Sequence, residues 1–539
     1  MKNKIRDKLN VAFYVFFCLL LNGLFTQIAA QTSDTEPVTP FDITPFETQC
    51  VARVGDIDIM VQEFILNYEF GPAFLKRTED SKKRYLDVMI YEKLLALDGY
   101  RLGLDSKNSV MRSCAAIEED LITEELFKEE VMSRVTITDQ EIEQSIPLAQ
   151  QYLYLKWLYS QDEQKITSWH LQLNSGDSFD SLFTVQLNND SVTTDDRSLE
   201  TTYFKFRMRN PVLAAIIDTL PFGISSQPIS APDGWYIIMK DNSWINAIST
   251  ESEIEKLRHE LRRSIFKHKL DQASDGYVQE LMQENGPVID KDTFALLVLF
   301  LGHSVSDSNI IRIEELKKYL SGDFYEVDFD NIYQHVEQIL VQSAAGNIKL
   351  GNFLDWYQPR QAYLKFNPTS SKSFILSVQQ TIWRMVRDYF LIQRAHEKGL
   401  DSRESVQVQK QWWKDKIVFN ARKAEIAASI TYEELDLLVY YKDNIARYRN
   451  SKGDVIPFEK ARNNVQSDFI REKYMSQLMR RILQLKQIYS IQIYDDVLAA
   501  VKVEDEENPK AIDLYAVKKG GLLPRQPYPT IDWEWQLWY

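Results

Sequence analysis

The sequence predicts a mainly α protein with one α+β module, arranged as two related helical units of which the first carries an insert. Three observations predict it. Long stretches repeat apolar residues at helical spacing, as at Tyr85, Val88, Met89, Leu94 and Leu95. Short motifs recur in one order along the chain: Gly103-Leu104-Asp105-Ser106 returns as Gly399-Leu400-Asp401-Ser402. Between the motifs of the first copy lies a stretch with aromatic, strand-like runs that the second copy lacks.

At 539 residues the chain exceeds one ordinary domain. Apolar residues make up 44%, enough for packed cores, and a net charge of −15 argues against a nucleic-acid partner, which would favour a basic face. Residues 1–30 read as a secretory signal peptide. Lys2, Lys4, Arg6 and Lys8 precede the apolar run Val11 to Leu21, and Ile28-Ala29-Ala30 offers a small-residue exit. The run is too short to span a bilayer, and bulky Phe17 argues against a lipid anchor at Cys18. Cleavage near Ala30 is expected, with export across the inner membrane.

Residues 31–50 read as a flexible leader. The first helical unit, 51–151, opens on an alternating hairpin that turns at Gly55. Two long helices follow, and Thr138 with Glu141 forms the capping box of a third. Residues 152–246 form the insert. Its first strand-like run is Tyr152 to Tyr159 and its last is Gly234 to Met239. A closing helix is expected over 247–290, opening at Glu255-Lys256-Leu257-Arg258.

The second helical unit, 291–502, repeats the helix start at Ile430-Thr431-Tyr432-Glu433-Glu434-Leu435, with Thr431 and Glu434 as a second capping box, and the closing helix at Glu459-Lys460-Ala461-Arg462. Residues 503–539 hold an acidic linker, a Gly-Gly turn, three prolines and an aromatic tail of Trp533, Trp535, Leu537, Trp538 and Tyr539. The favoured reading of the tail is a final strand packed on the chain's own body; the sharper one is a segment added to a partner's sheet edge. Beyond the signal peptide the only thiols are Cys50 and Cys114, left either to pair in an oxidising compartment or to stay as two inert buried thiols.

The order of parts resembles the SurA-type chaperone and parvulin isomerase family. The hairpin with Gly55, Ile59 and Phe64 resembles that family's opening, and Arg84 to Leu95 its second helix. Gly176-Asp177-Ser178-Phe179, Pro211 to Leu220, Pro221 to Ser225 and Gly234-Trp235-Tyr236-Ile237-Ile238 resemble stretches of a parvulin domain. The resemblance implies a histidine on the first strand and another on the last, facing across a groove, with a methionine and a phenylalanine nearby. The matching positions here are Lys156 and Tyr236 for the histidines, and Arg209 and Leu213 for the apolar pair. Both imidazoles are absent, and His170 lies in a helix-like stretch. Catalysis is therefore expected to be lost.

What the resemblance implies is an ATP-independent periplasmic or outer-membrane-associated chaperone for unfolded exported proteins, outer-membrane proteins among them, with no cofactor. Aromatic helices around Trp383, Trp412 and Trp413 would add apolar contacts. Two other readings stand beside it: an active prolyl isomerase with an atypical groove, and a structural subunit of an outer-membrane assembly docked through its tail. No metal-ligand spacing, phosphate loop or nucleophile elbow is present in the sequence.

Overall fold

In the computed structural model, the alternating stretch around Gly55 folds as an antiparallel hairpin, β1 (Cys50–Val54) and β2 (Ile57–Met60). The structure describes residues 49–76, 80–231, 233–246, 250–306, 313–320, 329–361, 363–503 and 521–537. The expected signal peptide, nearly all of the leader, and Trp538 and Tyr539 lie outside them. After the hairpin come helices α1 (Val61–Phe70), α2 (Ser81–Arg101), α3 (Asn108–Glu130) and α4 (Asp139–Gln150). The expected insert follows as β3 (Gln151–Ser160), α5 (Glu163–Asn174), α6 (Phe179–Asp190), β4 (Ser198–Thr202), α7 (Tyr203–Arg209), α8 (Pro211–Thr219), β5 (Ile229–Ala231) and β6 (Gly234–Ile245). Helix α9 (Glu251–Asn285) then leads to β7 (Val288–Ile289), α10 (Lys291–Ser306) and α11 (Ile313–Tyr319).

The remainder is a second hairpin, β8 (Ile339–Gln342) and β9 (Ile348–Lys349), then α12 (Leu350–Tyr357), α13 (Ser371–Glu397), α14 (Glu404–Ala428), α15 (Glu434–Asp443), α16 (Phe458–Ile488), β10 (Ile491–Ile493) and α17 (Asp495–Ala500). The chain is mainly helical with small antiparallel sheets. No helix among the described residues is long and apolar enough to cross a membrane. The most apolar run, Phe294 to Leu301, lies on α10, with Ala295 to Leu299 buried. Two compact units form: one runs from Glu130 to Glu280, and the other comprises the residues on either side of it.

The flanking unit contains both Gly-Leu-Asp-Ser motifs, and the two have the same local structure. Gly103 and Gly399 take φ of +70° and +67°, the left-handed conformation that ends a helix at little cost only for glycine. Each is followed by one 3-10 turn, Leu104–Ser106 or Leu400–Ser402, whose leucine is buried. The two hairpins also have the same surroundings. Strand β1 lies centrally in the order β10-β1-β2, and β8 centrally in β7-β8-β9. Strand β10, which follows α16, pairs with β1, and β7, which follows α9, pairs with β8, so each hairpin takes its third strand from the distant half of the chain, an exchange of strands.

Helix α2 anchors the larger core. Tyr85, Leu86, Met89, Ile90, Leu94 and Leu95 are buried in a cluster that also takes Phe419 and Ile426 of α14, and Leu478, Ile482 and Leu485 of α16. The same helix buries charge. Lys93 lies 2.7 Å from both Glu63 and Asp415, and the fully buried Asp98 accepts from Arg101, Arg422 and Arg481. Such groups are tolerated away from water only when paired.

In the central unit the sheet order is β4-β3-β6-β5. Leu153, Leu155, Ile238 and Ala214 form a core with α7 and α8, whereas Leu158, Ile166, Ile237 and Met239 form another with α5 and α6. Helices α4 and α9 join this unit through Ile142, Leu261 and Ile265, with Phe204 of α7 set among them. The Thr138 and Glu141 capping box forms as expected. The second expected box does not. Helix α15 starts with Glu433 as N-cap and Asp436 closing the box. Glu434 instead takes a forked pair from Arg462 of α16 at 2.9 and 2.7 Å, a stronger charge-assisted contact than a reach back to Thr431.

Candidate functional site

Two places carry the residues singled out from the sequence. The first is the β3–β6 pair. Side chains alternate across a strand, so register decides which of them meet. Lys156 pairs with Met239, and Tyr236 with Tyr159. Lys156 therefore shares a face with Leu158, Ile237 and Met239, and Tyr236 shares the opposite face with Leu155, Trp157 and Ile238. The expectation that Lys156 and Tyr236 face each other across one groove is corrected: the sheet separates them.

On its own face Lys156 is largely covered and lies 3.1 Å from Asp180 and 3.2 Å from Asp241. Partial burial works against its charge, but the two carboxylates outweigh that and hold its pKa above the ordinary lysine range. It is an ion-paired lysine bordering an apolar core. On the other face the Tyr159 and Tyr236 rings lie 5.0 Å apart, and Tyr159 donates to the Asp233 carbonyl at 2.6 Å. The Tyr236 hydroxyl donates to the Asp233 carboxylate. Burial, and then that carboxylate, push its phenol well above the usual tyrosine value, so it stays neutral and acts only as a donor near neutrality. Arg197 stacks over Tyr159 at 4.9 Å.

Leu213 packs on the same core as Tyr236. Arg209 is exposed at the last residue of α7. His170 sits on α5 with Nε2 3.0 Å from the Asn174 amide, one turn away on its own helix. The face is thus an aromatic and aliphatic layer, half-buried against α7 and α8. Trp157, Tyr159, Asp233 and Arg197 were missed in sequence, because neither strand alone reveals the register.

The second place is the docked tail. Residues 521–537 lie along α2, α3 and α14. Asp120 of α3, fully buried, accepts from Leu522 N, Leu523 N at 2.7 Å and Arg525 Nε, while Arg525 Nη2 reaches Glu124 at 2.9 Å. Further along, Ile531 N donates to Asn67 Oδ1 at 3.1 Å. Asp532 N and the Trp535 indole both donate to Glu92 Oε1 at 2.9 Å. The Asp532 carboxylate sits 2.8 Å from Lys416 and against Lys423. Trp535 is 2% exposed, whereas Trp533 is 52% exposed beside Phe74.

The tail packs on the chain's own body, though as a 3-10 turn over Trp533–Leu537 and not as a strand. Two donors within four residues converge on one Glu92 oxygen, which an extended segment cannot do. Of the aromatic helix residues, Trp412 is buried and Arg525 stacks 5.0 Å over Trp413. Cys50 and Cys114 are both free; Cys50 lies on β1 with its thiol 3.0 Å from the Ala52 carbonyl, and Cys114 lies on α3. Partial burial raises both thiol pKa values, which favours the protonated form. Among the described residues no group of three or more His, Cys, Asp or Glu is placed to hold a metal ion. No family model matches the chain, and no curated protein matches it.

Proposed function

We propose that the chain is an ATP-independent chaperone of the cell envelope, of the SurA-like kind, binding unfolded exported proteins such as outer-membrane proteins. In this reading the central sheet module is a parvulin-like insert that binds and does not catalyse, set within the first of two SurA-like helical units. The observation that carries it is the Tyr236 face. Where the resemblance implies facing imidazoles, the sheet offers Trp157, Tyr159 and Tyr236, with the Tyr236 phenol tied to Asp233. The half-exposed parts of these rings would give sequence-tolerant apolar contact. It supplies no group that exchanges a proton near neutral pH.

The test pairs two assays on one preparation: suppression of aggregation of an unfolded outer-membrane protein, and proline-limited refolding. Suppression at stoichiometric protein, with refolding no faster than the uncatalysed rate, is the expected result. Acceleration at ordinary parvulin rates, lost on Tyr236→Phe, would replace this reading with that of an isomerase. Failure to suppress aggregation, with the protein recovered in an outer-membrane complex, would replace it with that of a structural subunit.

A further inference from the structure

The repeat supplies a comparison within one molecule. Glu92 stands eleven residues before Gly103, and Asp388 eleven before Gly399, so the two carboxylates are equivalent. Both are buried, and each accepts a tryptophan indole at 2.9 Å. In the second copy the indole is local: Trp356 is the seventh residue of α12. The seventh residue of α1 in the first copy is Asn67, which carries no indole. The tryptophan that bonds Glu92 arrives instead from the far end of the chain, as Trp535. Asn67 is itself turned to the arriving segment, accepting from Ile531 N.

We propose that residues 521–537 are a tethered peptide ligand, and that the surface they cover is a peptide-binding site of the first copy that accepts the same chemistry in trans. The site reads its ligand at three points. Asp120 and Glu124 take an arginine and two backbone N–H groups. Lys416 and Lys423 take a carboxylate seven residues later. Glu92 takes an indole three residues beyond that, together with the backbone N–H of the acidic residue. The class of ligand is therefore a segment of order Arg, then Asp, then Trp, closed into a 3-10 turn at its tryptophan end. The two ends differ, with Asp120 and Glu124 at the arginine end and Glu92 paired with Lys416 at the tryptophan end, and this fixes the direction of the segment. A tail on a tether competes for its own site at an effective concentration of about millimolar, so the intact chain holds the site closed against weak ligands. This inference does not rest on the chaperone reading, because its readout is peptide binding alone.

The experiment uses the full chain with a specific protease site placed within residues 504–520. After cleavage, a labelled synthetic peptide of residues 521–539 is added, and binding is followed by fluorescence anisotropy. Folding is monitored in parallel by protection of the Cys114 thiol. The cut protein is expected to release its tail on dilution, stay folded and take up the labelled peptide saturably. The uncut chain should bind at least tenfold more weakly, by the tether's effective concentration. A peptide carrying Trp535→Ala, or protein carrying Glu92→Gln, should lose about tenfold in affinity through the charge-assisted bond. A peptide of the same composition in scrambled order should not bind. Uptake by the uncut chain with formation of dimers would support the site and identify a second copy's tail as its natural occupant. A tail that cannot leave the cut, folded protein, loss of Cys114 protection once it leaves, or equal binding of the scrambled peptide would each overturn the proposal.

Discussion

Replacing Asp98 by asparagine should destabilise the repeat-built unit by about 2–4 kcal/mol. Asp98 is fully buried on α2 and accepts from Arg101 Nη2 at 2.9 Å, Arg422 Nε at 2.7 Å, and Arg481 Nε and Nη2 at 2.9 and 2.6 Å. It thereby ties α2 to α14 and α16. Removing one side of a buried ion pair costs about 3–5 kcal/mol. Here Arg101 is half exposed, and Arg422 and Arg481 keep some access to water, so part of that cost is recovered by solvation. With a denaturant slope of about 3 kcal/mol/M, the urea midpoint should fall by about 1 M.

Labelling of Cys50 and Cys114 in urea isolates the right transition, since both thiols lie in that unit. A pH series adds an independent check. Burial opposes the Asp98 charge, but hydrogen bonds from Arg481, Arg422 and Arg101 overcome it and hold the carboxyl far below the usual range. A depressed folded pKa means that the stabilisation is complete above the unfolded value of about 4 and is lost as pH falls through the folded value. The gap between wild type and Asp98→Asn should thus be constant from neutral pH down to about 5 and narrow only in strong acid. A difference below about 0.5 kcal/mol at neutral pH would refute the reasoning, because that is the scatter of an ordinary surface change.

Other outcomes follow from the same structure. Gly103→Ala and Gly399→Ala should each cost about 1 kcal/mol, because both sites hold left-handed backbone and a Cβ would meet nothing at Gly103 and only the Ser402 hydroxyl, at 3.8 Å, at Gly399; unequal losses in urea unfolding would deny their equivalence. Thr138→Ala should cost about 1 kcal/mol, read on the thermal transition of the central unit, whereas Thr431→Ala should cost almost nothing because Glu433 caps that helix. Leu158→Ala, at a fully buried position under α5 and α6, should cost about 3 kcal/mol by calorimetry.

The parts legible in sequence were those written in local chemistry. The Gly-Leu-Asp-Ser pairs announced identical helix ends, and the closing helices matched at the level of packing. Leu257, Leu261 and Ile265 in one, and Ala461, Val465 and Phe469 in the other, stand at the same intervals and line the same side. What the sequence hid is relational. Strand β7 has two residues and β10 three, too few to carry a periodic signal, so the exchange between copies was invisible. Neither strand alone shows that Lys156 and Tyr236 lie on opposite faces, because a shift of one residue in register reverses every face. In the tail, alternating Trp533 and Trp535 suggested a strand, yet the two differ in exposure because Glu92 claims one indole. That claim comes from a helix some 440 residues earlier.

The exchanged strands have a consequence for how the molecule comes into being. Ala52 is paired with Ile493, so the first hairpin is made early in synthesis and completed almost last. Throughout elongation its outer edge has backbone donors and acceptors with nothing to bond, the condition that invites pairing with other chains. Closing so long a loop is slow, and the waiting fragment is exposed to aggregation. A chain ending a few residues before Ile491 should therefore be lost to proteolysis although most of the sequence is present.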